Sequence, residues 1–157
     1  MPWNSLGIHI RHPRAVIWSH ILTFSDIDIE ATESVRSAAA TLCSHGLNIY
    51  EQAKQDWLQD RYYLVKYEDL VAHPNSTVHE LYSFIGIPVS EEVTEFVRSS
   101  SHGQSTDDGD YEIVKDSKKI SEKWKTWDLK IINTIEEACS DYMIAFGYDV
   151  FVSTNIN

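Results

Sequence analysis

The chain has 157 residues, 43% of them hydrophobic and 11% aromatic, the size and composition of one globular domain and not of a disordered chain. A formal net charge of −11 speaks against nucleic acid or an anionic membrane as partner of the whole surface. Cations are instead gathered locally. Arg11, Arg14 and three histidines lie within residues 1–25 without an acid, and Lys115, Lys118, Lys119, Lys123 and Lys125 crowd a second window.

Such islands on an acidic background suit a small anion held locally, or two solvated faces. Cys43 and Cys139 form no metal or redox spacing, and each falls on an apolar helix face. That placement reads as two buried free thiols, with one bridge as the alternative. No run reaches the roughly 18–20 apolar residues that span a bilayer, and the start carries no charged stretch followed by an apolar one. The chain therefore reads as soluble, with a membrane anchor only if a longer form exists. Asn75-Ser76-Thr77 is its single glycosylation sequon, a slight pointer to a secretory lumen.

In chain order, Leu6 to Arg11 is a short apolar run that predicts a buried strand ending at Arg11. His12-Pro13 breaks it, and Pro13 suits the first turn of a helix over Arg14 to Phe24. From Glu33 to about Trp57 apolar residues recur at three and four, predicting a long amphipathic helix, although Gly46 within it costs roughly 1 kcal/mol. Tyr62 to Tyr67 is rich in strand formers and predicts a second buried strand. Strand, helix and strand again predict an α/β layout with parallel pairing.

Thr77 to Glu80 fits a capping box that would open a helix ending at Gly86, with a short helix following from about Ser90 to Arg98. Ser99 to Gly109 lacks periodicity and reads as a surface loop. Its acids lack the ligand spacing of a calcium-binding EF-hand. A final helix is expected over Asp128 to Phe146, its stripe of Ile131, Ile132, Ile135, Cys139, Tyr142, Met143 and Phe146 facing the core and Gly147 ending it.

The chemistry concentrates in Arg11 to Ser19. Ligands of open α/β sheets bind at the carboxyl ends of strands, where helix amino termini also point free N–H groups. Arginine presents a forked set of donors that fits phosphate, a serine hydroxyl adds another, and each charge-assisted bond is worth roughly 1.5–3 kcal/mol. On residues alone, Arg11 is either a phosphate donor or the partner of a core carboxylate, and Ser19 either a ligand or a hydroxyl bonded within its own helix.

The segment Arg11-His12-Pro13-Arg14-Ala15-Val16-Ile17-Trp18-Ser19-His20 resembles the pattern Arg-Asp-Pro-Arg-Ala-Val, two further residues, Ser-Arg of the carbohydrate sulfotransferases. In that family it binds the 3′-phosphate of 3′-phosphoadenosine-5′-phosphosulfate (PAPS), which implies Arg11 and Ser19 as phosphate contacts. His12 stands for the family's aspartate and His20 for its arginine. Tyr63 to Leu70, followed by Pro74, is similar to the family's Val-Arg-Tyr-Glu-Asp-Leu strand, which implies Tyr67 as an adenine contact; core packing of its ring is the alternative. Ser121 to Lys125 resembles the later Trp-Arg stretch, and Glu136 to Tyr148 the closing helix. Across a variable loop, the same comparison implies Ser100 near the adenine and Lys118 or Lys119 near the 3′-phosphate.

The fold this implies is a partial P-loop-type sulfotransferase domain over residues 1–150, a short parallel sheet flanked by helices, with a tail at 151–157. The first strand, phosphosulfate loop and helix of the family find no counterpart among the six scattered glycines. The implied activity is transfer of a sulfuryl group from PAPS to a sugar hydroxyl, at O-6 of N-acetylhexosamine or galactose in a glycan such as a glycosaminoglycan, in the Golgi. Its partners are then a glycan acceptor and a nucleotide donor, with no metal. Two other readings are a truncated noncatalytic fragment or pseudoenzyme that binds nucleotide or a partner, and a cytosolic-type small-molecule sulfotransferase. Any of seven histidines, His9, His12, His20, His45, His73, His79 and His102, has the chemistry of a general base, and none falls on a catalytic position of the pattern.

Overall fold

The computed structural model describes residues 6–24, 28, 30–58, 60–101 and 122–149. In chain order its elements are β1 (Leu6–Ile10), α1 (Pro13–Phe24), α2 (Thr32–Ala53), β2 (Tyr62–Lys66), α3 (Tyr67–Ala72), α4 (Pro74–Ile85), α5 (Glu91–Ser101), α6 (Leu129–Ala138) and α7 (Ser140–Phe146). Single 3-10 turns lie at Asp56–Leu58 and Lys123–Thr126. The chain divides into two compact units. One holds the described residues up to Arg11 and from Ala53 to Lys123, the other His12–Gln52 and those from Trp124 onward.

In the first unit β1 and β2 pair in parallel, in the register Leu6↔Tyr62 to Ile10↔Lys66. Parallel neighbours need a long crossover, and the chain between these strands runs through α1 and α2. The layout is thus α/β with a short parallel sheet, as expected. Ile8 and Ile10 are buried and alternate with exposed Gly7 and His9, the period of two that a strand imposes.

Three local expectations are corrected here. The second strand stops at Lys66, and Tyr67 opens α3, whose first turn carries Glu68 and Asp69 where a helix amino end favours acids. The following helix starts at Pro74, not Thr77, because proline at the first helical position has its φ already set. Thr77 then lies inside α4 with its hydroxyl donating to the Asp69 carbonyl (3.3 Å), while Glu80 accepts from the Tyr63 hydroxyl (2.8 Å), so no capping box forms. Gly86 ends α4 at φ 73°, as expected. Ser99 to Ser101 continue α5 instead of opening a loop, and the acidic stretch at 102–109 lies outside the described residues.

The second unit holds most of the core. Ala15 and Ile17 of α1, Val35, Ala39 and Cys43 of α2, and Ile132, Ile135, Tyr142, Met143 and Phe146 of the closing helices are all buried. α2 ends at Ala53, short of Trp57, which is 69% exposed in the first unit and takes no part in this stripe. Gly46 has a steric reason: a Cβ there would lie 2.7 Å from Cε2 of Tyr142, so the helix accepts glycine's cost to let that ring approach.

The expected final helix is two. The chain turns at Cys139 (φ −111°, ψ 13°), yet the apolar stripe continues through the break. Asp128 caps the first piece by accepting the Lys130 N–H at 2.7 Å, and Gly147, at φ 64°, closes the second. Cys43 and Cys139 are bridged, their Cα atoms 5.4 Å apart across 96 residues of sequence, which replaces the reading of two free thiols. Among the described residues no helix is long and apolar enough to cross a membrane.

Candidate functional site

The parallel register decides what stands at the carboxyl ends of the strands. Ile10 faces Lys66 in the last pair of the ladder, so the next residues, Arg11 and Tyr67, emerge side by side although 56 positions separate them in sequence. The Arg11 guanidinium lies over the Tyr67 ring, its carbon 4.4 Å from the centroid. His9 meets the same ring edge-on at 6.1 Å. A cation on a ring face is attracted by the ring's quadrupole, worth about 0.5–1 kcal/mol at exposed sites. The resemblance assigns these two residues separately to phosphate and adenine, and the first unit brings them together.

In the second unit, the same sequence segment continues into the amino-terminal turn of α1. Arg14 is 3% exposed and forms a salt bridge with Glu136 of α6, itself 4% exposed. Its Nη2 also donates to the Asp149 carbonyl at 2.9 Å, and its guanidinium covers the Trp124 ring at 4.3 Å. Burial pulls the Arg14 pKa down from its ordinary value, and the Glu136 carboxylate opposes that pull. A core carboxylate of the kind considered for Arg11 is found beside Arg14. Spacing alone held no sign of it, since the partner lies 122 residues on; a glutamate on the buried stripe of the closing helix was the only available hint.

His12 packs into the same cluster. It stacks on Trp124 (5.4 Å, 19° between planes), tilts against Tyr148 (4.8 Å), and its Nδ1 accepts the Arg14 backbone N–H at 3.3 Å. Burial, together with the charge of Arg14, lowers its pKa to about 3. At neutral pH it is an uncharged acceptor that buttresses the start of α1.

Ser19 is exposed on α1, as is His20 beside it. Farther along this unit, a cleft of about 630 Å³ opens between α1 and α2, lined by His20, Ser34, Ser37, Thr41 and His45 over Ile17 and Leu42. Its α2 residues recur at three and four, so they form one helix face, and none of the lining residues is an acid, a lysine or an arginine. Ser100 lies in the last turn of α5. Lys118 and Lys119 are outside the described residues, as are His102 and the segment 151–157. Among the described residues no group of histidines, cysteines and acids is placed to hold a metal ion.

Comparison with known proteins agrees with the sequence pattern. The model of the sulfotransferase family matches residues 8–91, which run from within β1 through α1, α2, β2, α3 and α4. Carbohydrate sulfotransferase 3 of Homo sapiens is 28% identical over 157 aligned residues, covering 88% of this chain and 32% of the relative. Carbohydrate sulfotransferase 1 of Mus musculus is 27% identical, covering 88% of this chain and 37% of the relative. Carbohydrate sulfotransferase 2 of Homo sapiens is 29% identical over 116 residues, covering 71% and 22%. The chain spans about a third of the length of the first curated relatives it matches. No solved structure matches it.

Proposed function

Because the chain belongs to the sulfotransferase family, we propose that it is the donor-binding portion of an enzyme that moves a sulfuryl group from PAPS to a sugar hydroxyl, at O-6 of N-acetylhexosamine or galactose in a glycan. The observation that carries this reading is the Arg11–Tyr67 pair at the carboxyl ends of β1 and β2. A guanidinium and an aromatic ring side by side match, in chemistry and order, a phosphate and a purine on one nucleotide. Arg11 and Ser19 are the proposed 3′-phosphate contacts and Tyr67 the proposed adenine contact. Ser100, Lys118 and Lys119 are further donor contacts implied by the family pattern alone.

PAPS supplies the activated sulfuryl group. In this chain's share of the work, Arg11 neutralises the 3′-phosphate and fixes the nucleotide's position, which is how most of the barrier to such a transfer is lowered. The names of the relatives support a carbohydrate acceptor. The hydroxyls and imidazoles of the α1–α2 cleft are also of the kind that pair with sugar hydroxyls. The Cys43–Cys139 bridge supports an oxidising lumen, and so a Golgi enzyme over a cytosolic small-molecule sulfotransferase.

The test uses the complete gene product with radiolabelled PAPS and two acceptor panels, glycans ending in N-acetylhexosamine or galactose, and small phenols and alcohols. Label on the sugar 6-hydroxyl is expected. Label on the small molecules without any on the glycans overturns the reading.

A further inference from the structure

The sequon Asn75-Ser76-Thr77 has no part in the donor site, yet its surroundings are informative. Asn75 is exposed in the first turn of α4, and its side chain holds no hydrogen bond to any described residue. The chain's two cysteines are joined, which is the state proteins reach in the secretory pathway and rarely in the cytosol. We propose that Asn75 carries an N-linked glycan, attached in that compartment before α4 closes.

The order of events follows from the hydroxyls. Thr77, the residue that makes the sequon, is buried in the folded unit and donates to the Asp69 carbonyl at 3.3 Å. The Ser76 hydroxyl donates to the His73 carbonyl at 3.1 Å. Both groups are committed to the backbone once α3 and α4 have packed, so an enzyme that must engage the threonine reads it on the unfolded chain. The donor is an oligosaccharide on a lipid diphosphate. Asn75 Nδ2 forms a bond to the sugar's anomeric carbon, the bond from that carbon to the diphosphate oxygen breaks, the amide gives up one proton, and the lipid diphosphate leaves. After folding, the glycan projects from an exposed position.

The complete coding sequence, expressed in a eukaryotic cell, tests this by gel mobility and peptide mass with and without peptide-N-glycosidase. The expected product carries a glycan on the peptide containing Asn75 that the enzyme removes, leaving aspartate at position 75. Asn75→Gln removes that glycan and reduces the shift accordingly, and Thr77→Ser, which preserves a sequon, keeps it. Refolded chain made in bacteria stays unmodified when offered to microsomes, whereas nascent chain is modified. Unshifted wild-type protein overturns the proposal whether or not its cysteines are bridged. Equal modification of folded and nascent chains overturns the stated order.

Discussion

Arg11 and Arg14 stand three residues apart in sequence and carry the same chemistry, but the two units put them to different use. Arg14, in the second unit, is sealed with the buried Glu136 carboxylate, so its charge is answered within the protein. Arg11, in the first unit, lies on the Tyr67 ring at the end of the parallel ladder, where α/β proteins bind their ligands. One arginine is joined to a buried carboxylate of its own unit; the other packs on a ring at the strand ends, where the proposed nucleotide site lies. The family pattern contains both arginines and does not by itself tell them apart.

The largest expected effect separates them by stability. Removing one partner of a buried pair leaves the other charge uncompensated, so Arg14→Ala or Glu136→Gln should destabilise the chain by about 3–5 kcal/mol in denaturant unfolding. A loss below about 1 kcal/mol would show that the second unit does not depend on the pair.

His12 sharpens the picture of that unit through pH. Unfolded, it takes up a proton near pH 6.5; folded, not until about 3. The unfolded state therefore binds more protons within that window, so stability is complete above it and falls as pH drops through it. The His12 contribution should reach roughly 2–4 kcal/mol at the acid end, visible as a flatter stability profile for His12→Asn between pH 6.5 and 4. Parallel profiles for the two proteins would contradict the neutral, half-buried imidazole.

The smallest stability effect is expected at Arg11. Arg11→Ala loses a cation–ring contact worth about 0.5–1 kcal/mol and should change unfolding free energy by clearly less than Arg14→Ala does. A loss as large as that of Arg14→Ala would make Arg11 a structural residue and erase the contrast.

How much of this was legible beforehand depends on the range of each interaction. The strands and the proline that opens α1 were readable because apolar runs and a fixed φ act locally. Tyr67 was misread as strand because its own propensity favours one, while the acids after it favour a helix start. Thr77 and Glu80 have the spacing of a capping box, but their partners, Asp69 and Tyr63, come from elsewhere in the chain. The turn at Cys139 was invisible because the stripe keeps its period through the break. For the candidate site, the resemblance supplied Arg11 and Tyr67 as separate residues, and only the strand register brought them together. Arg14 and Glu136, 122 positions apart, left one trace, a glutamate on the apolar stripe of the closing helix.

The central claim is that Arg11 serves the nucleotide and Arg14 the fold. Its most direct test is calorimetric titration of the purified chain with 3′,5′-ADP, wild type against Arg11→Ala, with circular dichroism confirming that both are folded. Weak, saturable binding by the wild type that the substitution abolishes is the predicted result. Equal binding by the two proteins would contradict it.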